Sequence, residues 1–355
     1  MSLTANKGEW SELYVLYSLF ADHKIAAANN NLEPTGHFYH FLKIFRNDNP
    51  GEHITYDLSE ANKVFIISNR APIRIVSTDG LAEKTKRIFN RIQNADEAAF
   101  EIYEAERLMP VFSLSKIKAN SGQKSDIIAT IKDDIISETE PYGFSIKSRI
   151  GCPSTLLNAS TGTNFIYKIS GLNADIHKIN SISTRSKVRD RLKEIIRCGG
   201  QITYTEMASK TFADNLKTID TQMHKIVAEM LLAYYLGCSN TMGELCNTVF
   251  NSAKFDLTEP QIISKVRNFL KIIALGMVPQ SVWNDRLSSY GGYIVVREDG
   301  VLVCYHLYNE DAFKDYLFEN TKLDTPSTTR HKFGNIYEEN GELFMCLNLQ
   351  IRFIK

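Results

Sequence analysis

Apolar and polar positions follow two rhythms along this chain, and each change of rhythm marks an element. From residue 8 to residue 21 the spacing is helical: Glu9, Glu12, Leu13, Leu16 and Phe20 share one side, with Ser11, Ser18 and Asp22 opposite. Two glutamates therefore ride on an apolar face. Between residues 54 and 76 the pattern shortens to β-branched runs, Val64-Phe65-Ile66-Ile67 and Ile73-Arg74-Ile75-Val76, divided by a turn signal at residues 69–72. A helix is predicted over residues 81–107. Next comes a hairpin, with Asp126-Ile127-Ile128-Ala129-Thr130-Ile131 as one strand and Gly143-Phe144-Ser145-Ile146-Lys147-Ser148 as the other, joined by an acidic loop that contains Pro141.

Residues 185–251 turn helical, and Thr258-Glu259-Pro260-Gln261 reads as a capping box with proline at the start of a further helix running to Leu275. The end of the chain predicts a hairpin over 293–307 turning at Asp299-Gly300, a helix over 310–320, and a second hairpin over 336–353 turning at Asn340-Gly341. No repeat or low-complexity tract interrupts this order. The mixture predicts an α+β fold, a mixed central sheet flanked by helices with added helical and hairpin regions. A boundary is placed near residue 180, dividing residues 1–180 from 181–355.

Composition narrows the class. At 355 residues the chain can build one large or two ordinary cores. No apolar run approaches membrane-spanning length and no secretory signal opens the chain, so a soluble cytoplasmic protein is expected. The six cysteines form no CxxC pair, which argues against a zinc knuckle or a disulfide framework. The 41 basic and 41 acidic residues cancel, yet their distribution is uneven. Lys116, Lys118 and Lys124 form one basic stretch, Lys147 and Arg149 another, and Arg185, Lys187, Arg189, Arg191, Lys193 and Arg197 a third, while acid gathers at residues 96–106. Segregated charge lets a neutral chain hold DNA in a cleft and still release non-specific sites. Solvated helix faces would give the same clusters.

Candidate chemistry sits in the central hairpin. Asp126 opens one strand, and Ser145 and Lys147 project to one face of the next. A carboxylate and a lysine on adjacent strands suit a nuclease that holds a divalent metal and orients water; a salt-bridged hairpin would use the same residues. The arrangement resembles the PD-(D/E)xK nuclease core, with Ser125 where that motif often has proline and Ser145 where it has an acid. One metal carboxylate is thus missing from the hairpin, and Glu9 or Glu12 is the candidate replacement. The other role open to these glutamates is to stabilise the helix start.

The resemblance widens beyond the hairpin. Asn6-Lys7-Gly8-Glu9-Trp10-Ser11-Glu12 is similar to the opening of the HpaII-type type II restriction endonucleases. Gly143-Phe144-Ser145-Ile146-Lys147-Ser148, Ser154-Thr155-Leu156-Leu157-Asn158-Ala159-Ser160 and Asn164-Phe165 resemble their central block. Pro326-Ser327-Thr328-Thr329-Arg330-His331-Lys332-Phe333-Gly334 and Leu347-Asn348-Leu349-Gln350-Ile351-Arg352-Phe353 resemble their end.

The resemblance implies a restriction-endonuclease-like core over residues 1–180 and a DNA-recognition and dimerisation region over 181–355. It implies Mg²⁺-dependent cleavage of both strands of duplex DNA at a short site, CCGG for the namesake. Asp126, Glu12 and the Ile146 carbonyl would hold the metal, Lys147 would address the water and Ser145 would align the site. For base reading, Arg149, Asn158, Asn164, Arg330 and Gln350 carry suitable donors; arginine can equally grip phosphate and the amides can be structural. His331 lacks a second histidine at ligand spacing and reads as part of a basic loop. A homodimer on a palindromic site and a paired DNA methyltransferase complete the expectation. A catalytically inactive DNA-binding protein and a repair nuclease on the same core are the alternatives.

Overall fold

The computed structural model describes residues 3–118, 125–132, 140–151, 153–285, 291–306 and 310–354. Lys124, Cys152, Leu307 and most of the acidic loop expected between the hairpin strands lie outside these residues. The chain forms two compact units, one of Met1–Ser154 with Leu287–Tyr316, the other of Thr155–Arg286 with Leu317–Ile354.

The first unit begins with helix α1 (Lys7–Asp22) and strands β1 (Lys24–Ala28), β2 (Pro34–Arg46), β3 (Ile54–Asp57), β4 (Lys63–Ser68) and β5 (Arg74–Ser77). Helices α2 (Leu81–Asn94) and α3 (Tyr103–Leu108) and strands β6 (Ile127–Lys132) and β7 (Tyr142–Ser148) follow. The chain then builds β8 (Thr155–Leu157), β9 (Asn164–Ser170), α4 (Ile176–Asn180), α5 (Lys187–Arg197) and β10 (Gln201–Met207) in the second unit. Four helices continue there: α6 (Lys210–Ile219), α7 (Met223–Leu236), α8 (Met242–Asn251) and α9 (Glu259–Leu275). It returns to the first unit with β11 (Gly292–Val296) and β12 (Leu302–His306). The remaining elements are α10 (Glu310–Asn320), β13 (Thr321–Leu323), α11 (Thr328–His331), β14 (Ile336–Glu339), β15 (Glu342–Asn348) and β16 (Ile351–Phe353).

In the first unit nine strands pair in the order β1-β12-β11-β7-β6-β2-β3-β4-β5, and a further β1–β2 pairing closes the first six into a circuit. The sheet is mixed, because β11 runs parallel to β7 and β12 parallel to β1 while the other pairs are antiparallel. This is the mixed central sheet flanked by helices that the sequence predicts. Gly292 makes the centre of the sheet possible: at φ 112° any Cβ would come within 1.9 Å of the Tyr305 carbonyl oxygen.

Helix α1 departs from its amphipathic reading. Ser11 and Ser18, expected on a polar side, are buried together with Trp10, Leu13, Val15, Leu16, Tyr17, Leu19 and Phe20. The helix packs on β7 and β1 and also on α2, so both sides are covered. The two hydroxyls satisfy themselves on their own helix, Ser11 Oγ donating to Lys7 O at 2.7 Å and Ser18 Oγ to Tyr14 O at 2.9 Å. The single helix expected over residues 81–107 is broken, because Phe100 leaves it to exchange backbone hydrogen bonds with Ala5 at 3.0 and 3.1 Å.

The second unit packs its helices on an antiparallel sheet of order β10-β9-β15-β14, beside a smaller sheet β13-β16-β8. Its centre is α7, whose Ile226, Val227, Ala228 and Leu231 are buried, with the Tyr167 hydroxyl donating to the Ala228 carbonyl at 2.7 Å. Strand β10 corrects the helical reading of residues 185–251: Ile202, Tyr204 and Glu206 alternate with threonines along an outer strand. The hairpin expected over 336–353 stops at Asn348, and β16 pairs with β13 and β8 instead.

Candidate active site

Strands β6 and β7 pair over only three residues, Ile127 with Phe144 through Ala129 with Tyr142. Beyond Phe144 the next amide of β7 has no partner on the β6 backbone, and Asp126 fills that place. Its N–H donates to Phe144 O at 2.9 Å, while its Oδ2 accepts from the Ile146 N–H at 2.7 Å and from Ser145 Oγ at 3.3 Å. The carboxylate is thus fixed where the two strands part.

Lys147 follows on β7, held from the other side by β11, with Val295 opposite it in register. Its Nζ lies 5.5 Å from the centre of the Tyr293 ring, a fully buried side chain on that neighbouring strand. Burial lowers its pKa, against the raising pull of the Asp126 and Glu12 charges. A lysine so placed can reach its neutral form more readily than a solvated one, which a proton acceptor needs.

The two helix glutamates separate. Glu9 completes a capping box: its N–H donates to Asn6 Oδ1 at 3.0 Å and its Oε2 accepts from the Asn6 N–H at 3.0 Å. Glu12, one turn on, has its side chain 15% exposed and pairs with Lys118 Nζ at 3.3 Å. Burial pushes its carboxyl up to about 7, the Asp126 charge adds to the rise and Lys118 opposes it. Glu12, Asp126, Lys118 and Lys147 therefore act on one another as a single electrostatic group. Ser11 Oγ, whose proton goes to Lys7 O, also shares a hydrogen bond with Ser148 Oγ at 3.0 Å, pinning α1 to β7 beside Lys147. Sequence reasoning missed the part of Ser11, which it placed on a polar face, and of Lys118, which it counted among basic residues. The position of Lys118 a few residues ahead of Asp126 was the available signal.

Among the described residues no cluster of three or more His, Cys, Asp or Glu side chains assembles. The donors at hand are two carboxylates, from Asp126 and Glu12, and the Ile146 main chain. That set fits a hard divalent ion that keeps much of its water, since such ions often bind through one or two carboxylates plus substrate phosphate. The mutual repulsion that helps raise Glu12 is what such an ion would relieve.

The residues expected to read bases are spread. Arg149 is half-buried in the first unit, with its N–H on Val296 O at 2.9 Å and its charge felt by Tyr316. In the second unit, Asn158 is exposed just after β8, and Arg330 is exposed on α11. Gln350 is half-buried between β15 and β16, its carbonyl accepting from the Asp324 N–H at 3.1 Å. Asn164 is buried and engaged at both ends of its amide: Nδ2 donates to His331 O at 3.0 Å and Oδ1 accepts from Asn348 Nδ2 at 2.6 Å. It anchors the segment that carries Arg330. In the basic cluster, Arg191 is likewise internal, 6% exposed, its guanidinium donating to the carbonyls of Asn180, Ile182 and Gly334.

Fold and site together define the class: a nuclease with a restriction-endonuclease-like core. Family comparison is more particular. The chain matches the HpaII restriction endonuclease family from residue 6 to residue 353 and belongs to it. It is 37% identical to the type II restriction enzyme HpaII of Haemophilus parainfluenzae over 99% of both chains. No solved structure matches. The protein is thus a type II site-specific endonuclease with DNA as its partner, and enzymes of this kind use divalent metal ions.

Proposed function

We propose that the protein hydrolyses one phosphodiester bond in each strand of duplex DNA at a short site, with Mg²⁺ as the metal and CCGG as the first target to test. The convergence of Glu12, Asp126 and Lys147 where β6 and β7 part carries this reading. Asp126, Glu12 and the Ile146 carbonyl would hold the ion; when bound, it supplies positive charge against the phosphate and makes a water more acidic. Ser145 keeps the Asp126 carboxylate turned into the site through its hydroxyl. Lys147 accepts the proton of the attacking water, a role favoured by its lowered pKa. Glu9 holds the start of α1, and so the position of Glu12 one turn on.

Arg149, Asn158, Arg330 and Gln350 would reach the DNA, with Asn164 positioning the Arg330 segment. Residues 181–355 would supply most of the recognition and dimerisation surface. A homodimer suits a two-fold target, and a cognate methyltransferase in the same cytoplasm would protect the host's own sites.

The test is digestion of a sequenced plasmid with Mg²⁺ or with a chelator, followed by mapping of the ends. Discrete fragments with a common end sequence are expected with Mg²⁺ alone. Retarded but uncut DNA would mark a binding protein, and cuts confined to mismatches a repair nuclease.

A further inference from the structure

The basic residues of α5 and its approach do not act alike. Arg191 is spent inside the second unit, and Arg197 is paired with Glu194 at 2.5 Å. Among the described residues, Arg185 and Lys187 make no side-chain hydrogen bond or ion pair. Arg189 stands 3.8 Å from Asp190, whose carboxylate instead accepts from Thr184 Oγ1 at 2.5 Å. These three cations line one open cleft of about 640 Å³. Its lining also includes Pro326, Ser327 and Thr328, the start of the block that resembles the family near the chain's end. Of the fourteen lining residues, three are cationic and none is acidic. An adjoining recess of about 310 Å³ shares Lys187 and Thr328 and adds Lys332, again without an acid.

The cleft is built for its cations. Gly237 ends α7 at φ 89°, and a Cβ there would meet the Arg189 side chain at 3.0 Å. The bare glycine leaves room for the Arg189 side chain to lie against the end of α7, at the lining of the cleft. Among the lining residues, Tyr234 shares its hydroxyl with Thr325 at 2.7 Å, so the cleft also carries hydroxyl groups.

We infer that this cleft and its adjoining recess hold the sugar–phosphate backbone of DNA, gripping consecutive phosphates through Arg185, Lys187, Arg189 and Lys332. An acid-free, cation-lined groove with hydroxyl donors is complementary to a polyanion and indifferent to base identity. The inference rests on the proposed DNA-cleaving function and adds to it a surface that none of the base-reading candidates occupies.

The test measures binding of the full chain to short duplexes with and without CCGG, in chelator, over a range of salt. The Lys187→Gln/Arg189→Gln double variant is expected to bind both duplexes at least about tenfold more weakly at low salt. Its log–log salt slope should be shallower by about two. Thr328→Glu, an independent change, should weaken both duplexes alike. Lys193→Gln, on the same helix but outside the cleft, should leave the slope unchanged. A folded double variant with the wild-type slope would overturn the inference, as would Lys193→Gln lowering the slope equally. Inorganic phosphate that binds the wild type but not the double variant, with DNA binding unmoved, would make this a small-anion site and also overturn it. A wild-type protein that binds no duplex would sink the functional reading as well; one that binds and cuts beside an unaffected double variant would sink this inference alone.

Discussion

The Asp126 carboxylate accepts the Ile146 amide proton at 2.7 Å, so a side chain does for β7 what another residue of β6 would have done. Asp126 thus has a structural role beside its proposed chemical one, and two substitutions separate the roles. Asp126→Asn keeps an oxygen for the Ile146 amide, while Asp126→Ala leaves that N–H without it. Both should cut plasmid at least about 100-fold more slowly. Only the alanine variant should also lose about 1–3 kcal/mol in urea unfolding.

The helix glutamates should respond differently. Glu12→Gln is expected to abolish metal-dependent cleavage. Glu9→Gln should retain most activity, because glutamine can still accept in a capping box, and Glu9→Ala should cost about 1 kcal/mol of stability. Cleavage assays and melting curves on the three proteins decide it; loss of cutting in Glu9→Gln with full cutting in Glu12→Gln would reverse the assignment.

Lys147 is held against its own charge by burial, which lowers its pKa. Lys147→Met should therefore fold as well as the wild type or better, and still bind target duplex. Cutting should fall by about 10²–10⁴-fold if the amine handles the water's proton. Substantial cutting by this variant would remove Lys147 from the mechanism.

The pH dependence of metal-free stability should carry the mark of Glu12. Its folded pKa of about 7 lies above the ordinary 4.5, so the fold favours the protonated acid and ionisation opposes folding. The contribution is favourable at low pH and is lost as pH rises from about 4.5 through 7. Relative to Glu12→Gln, the wild type should lose up to about 3 kcal/mol across this window, the opposing pull of Lys118 being already contained in the folded pKa. Denaturation midpoints at pH 5 and pH 8 in chelator test this, and parallel pH profiles for the two proteins would refute it.

Arg191 should behave as a core residue. Its guanidinium satisfies three carbonyls in a buried setting, so Arg191→Ala should destabilise the protein by about 3 kcal/mol or more. Arg330→Ala, at an exposed site, should leave the melting temperature unchanged and reduce discrimination between cognate and non-cognate DNA. Equal losses on both DNAs would assign Arg330 to phosphate.

Elements with a local signature were legible from sequence. The Thr258 capping box starts α9, Asp299-Gly300 turns β11 into β12, and the helix at Glu310–Asn320 has the expected ends. Strand β2 left no clean alternation, because its register shifts between Phe41 and Lys43 and moves side chains to the other face. Strand β10 is short, borders its sheet and lies between strong helices, which hid its alternation. In the site, the hairpin and Asp126, Ser145 and Lys147 could be read, since adjacent strands and their period are local. What could not be read was the division between Glu9 and Glu12. It depends on Asn6 drawing one carboxylate to the helix start and on Lys118 meeting the other. The burial of Asn164 and Arg191 was equally hidden, because the partners of Asn164 and the Gly334 partner of Arg191 lie more than a hundred residues away, and the Asn180 and Ile182 partners of Arg191 are main-chain carbonyls.

The parallel seam between β7 and β11 also sets an order of events during synthesis. The wall beside Lys147 comes from residues made nearly half a chain later, after the whole helical part of the second unit. A ribosome that has not yet delivered Gly292–Val296 holds a polypeptide whose lysine strand has an open edge and no Tyr293 beside its ammonium. Such a distant pairing forms late and slowly compared with local hairpins. A member of this endonuclease family thus leaves the lysine strand of its candidate site unfinished until most of the chain has emerged.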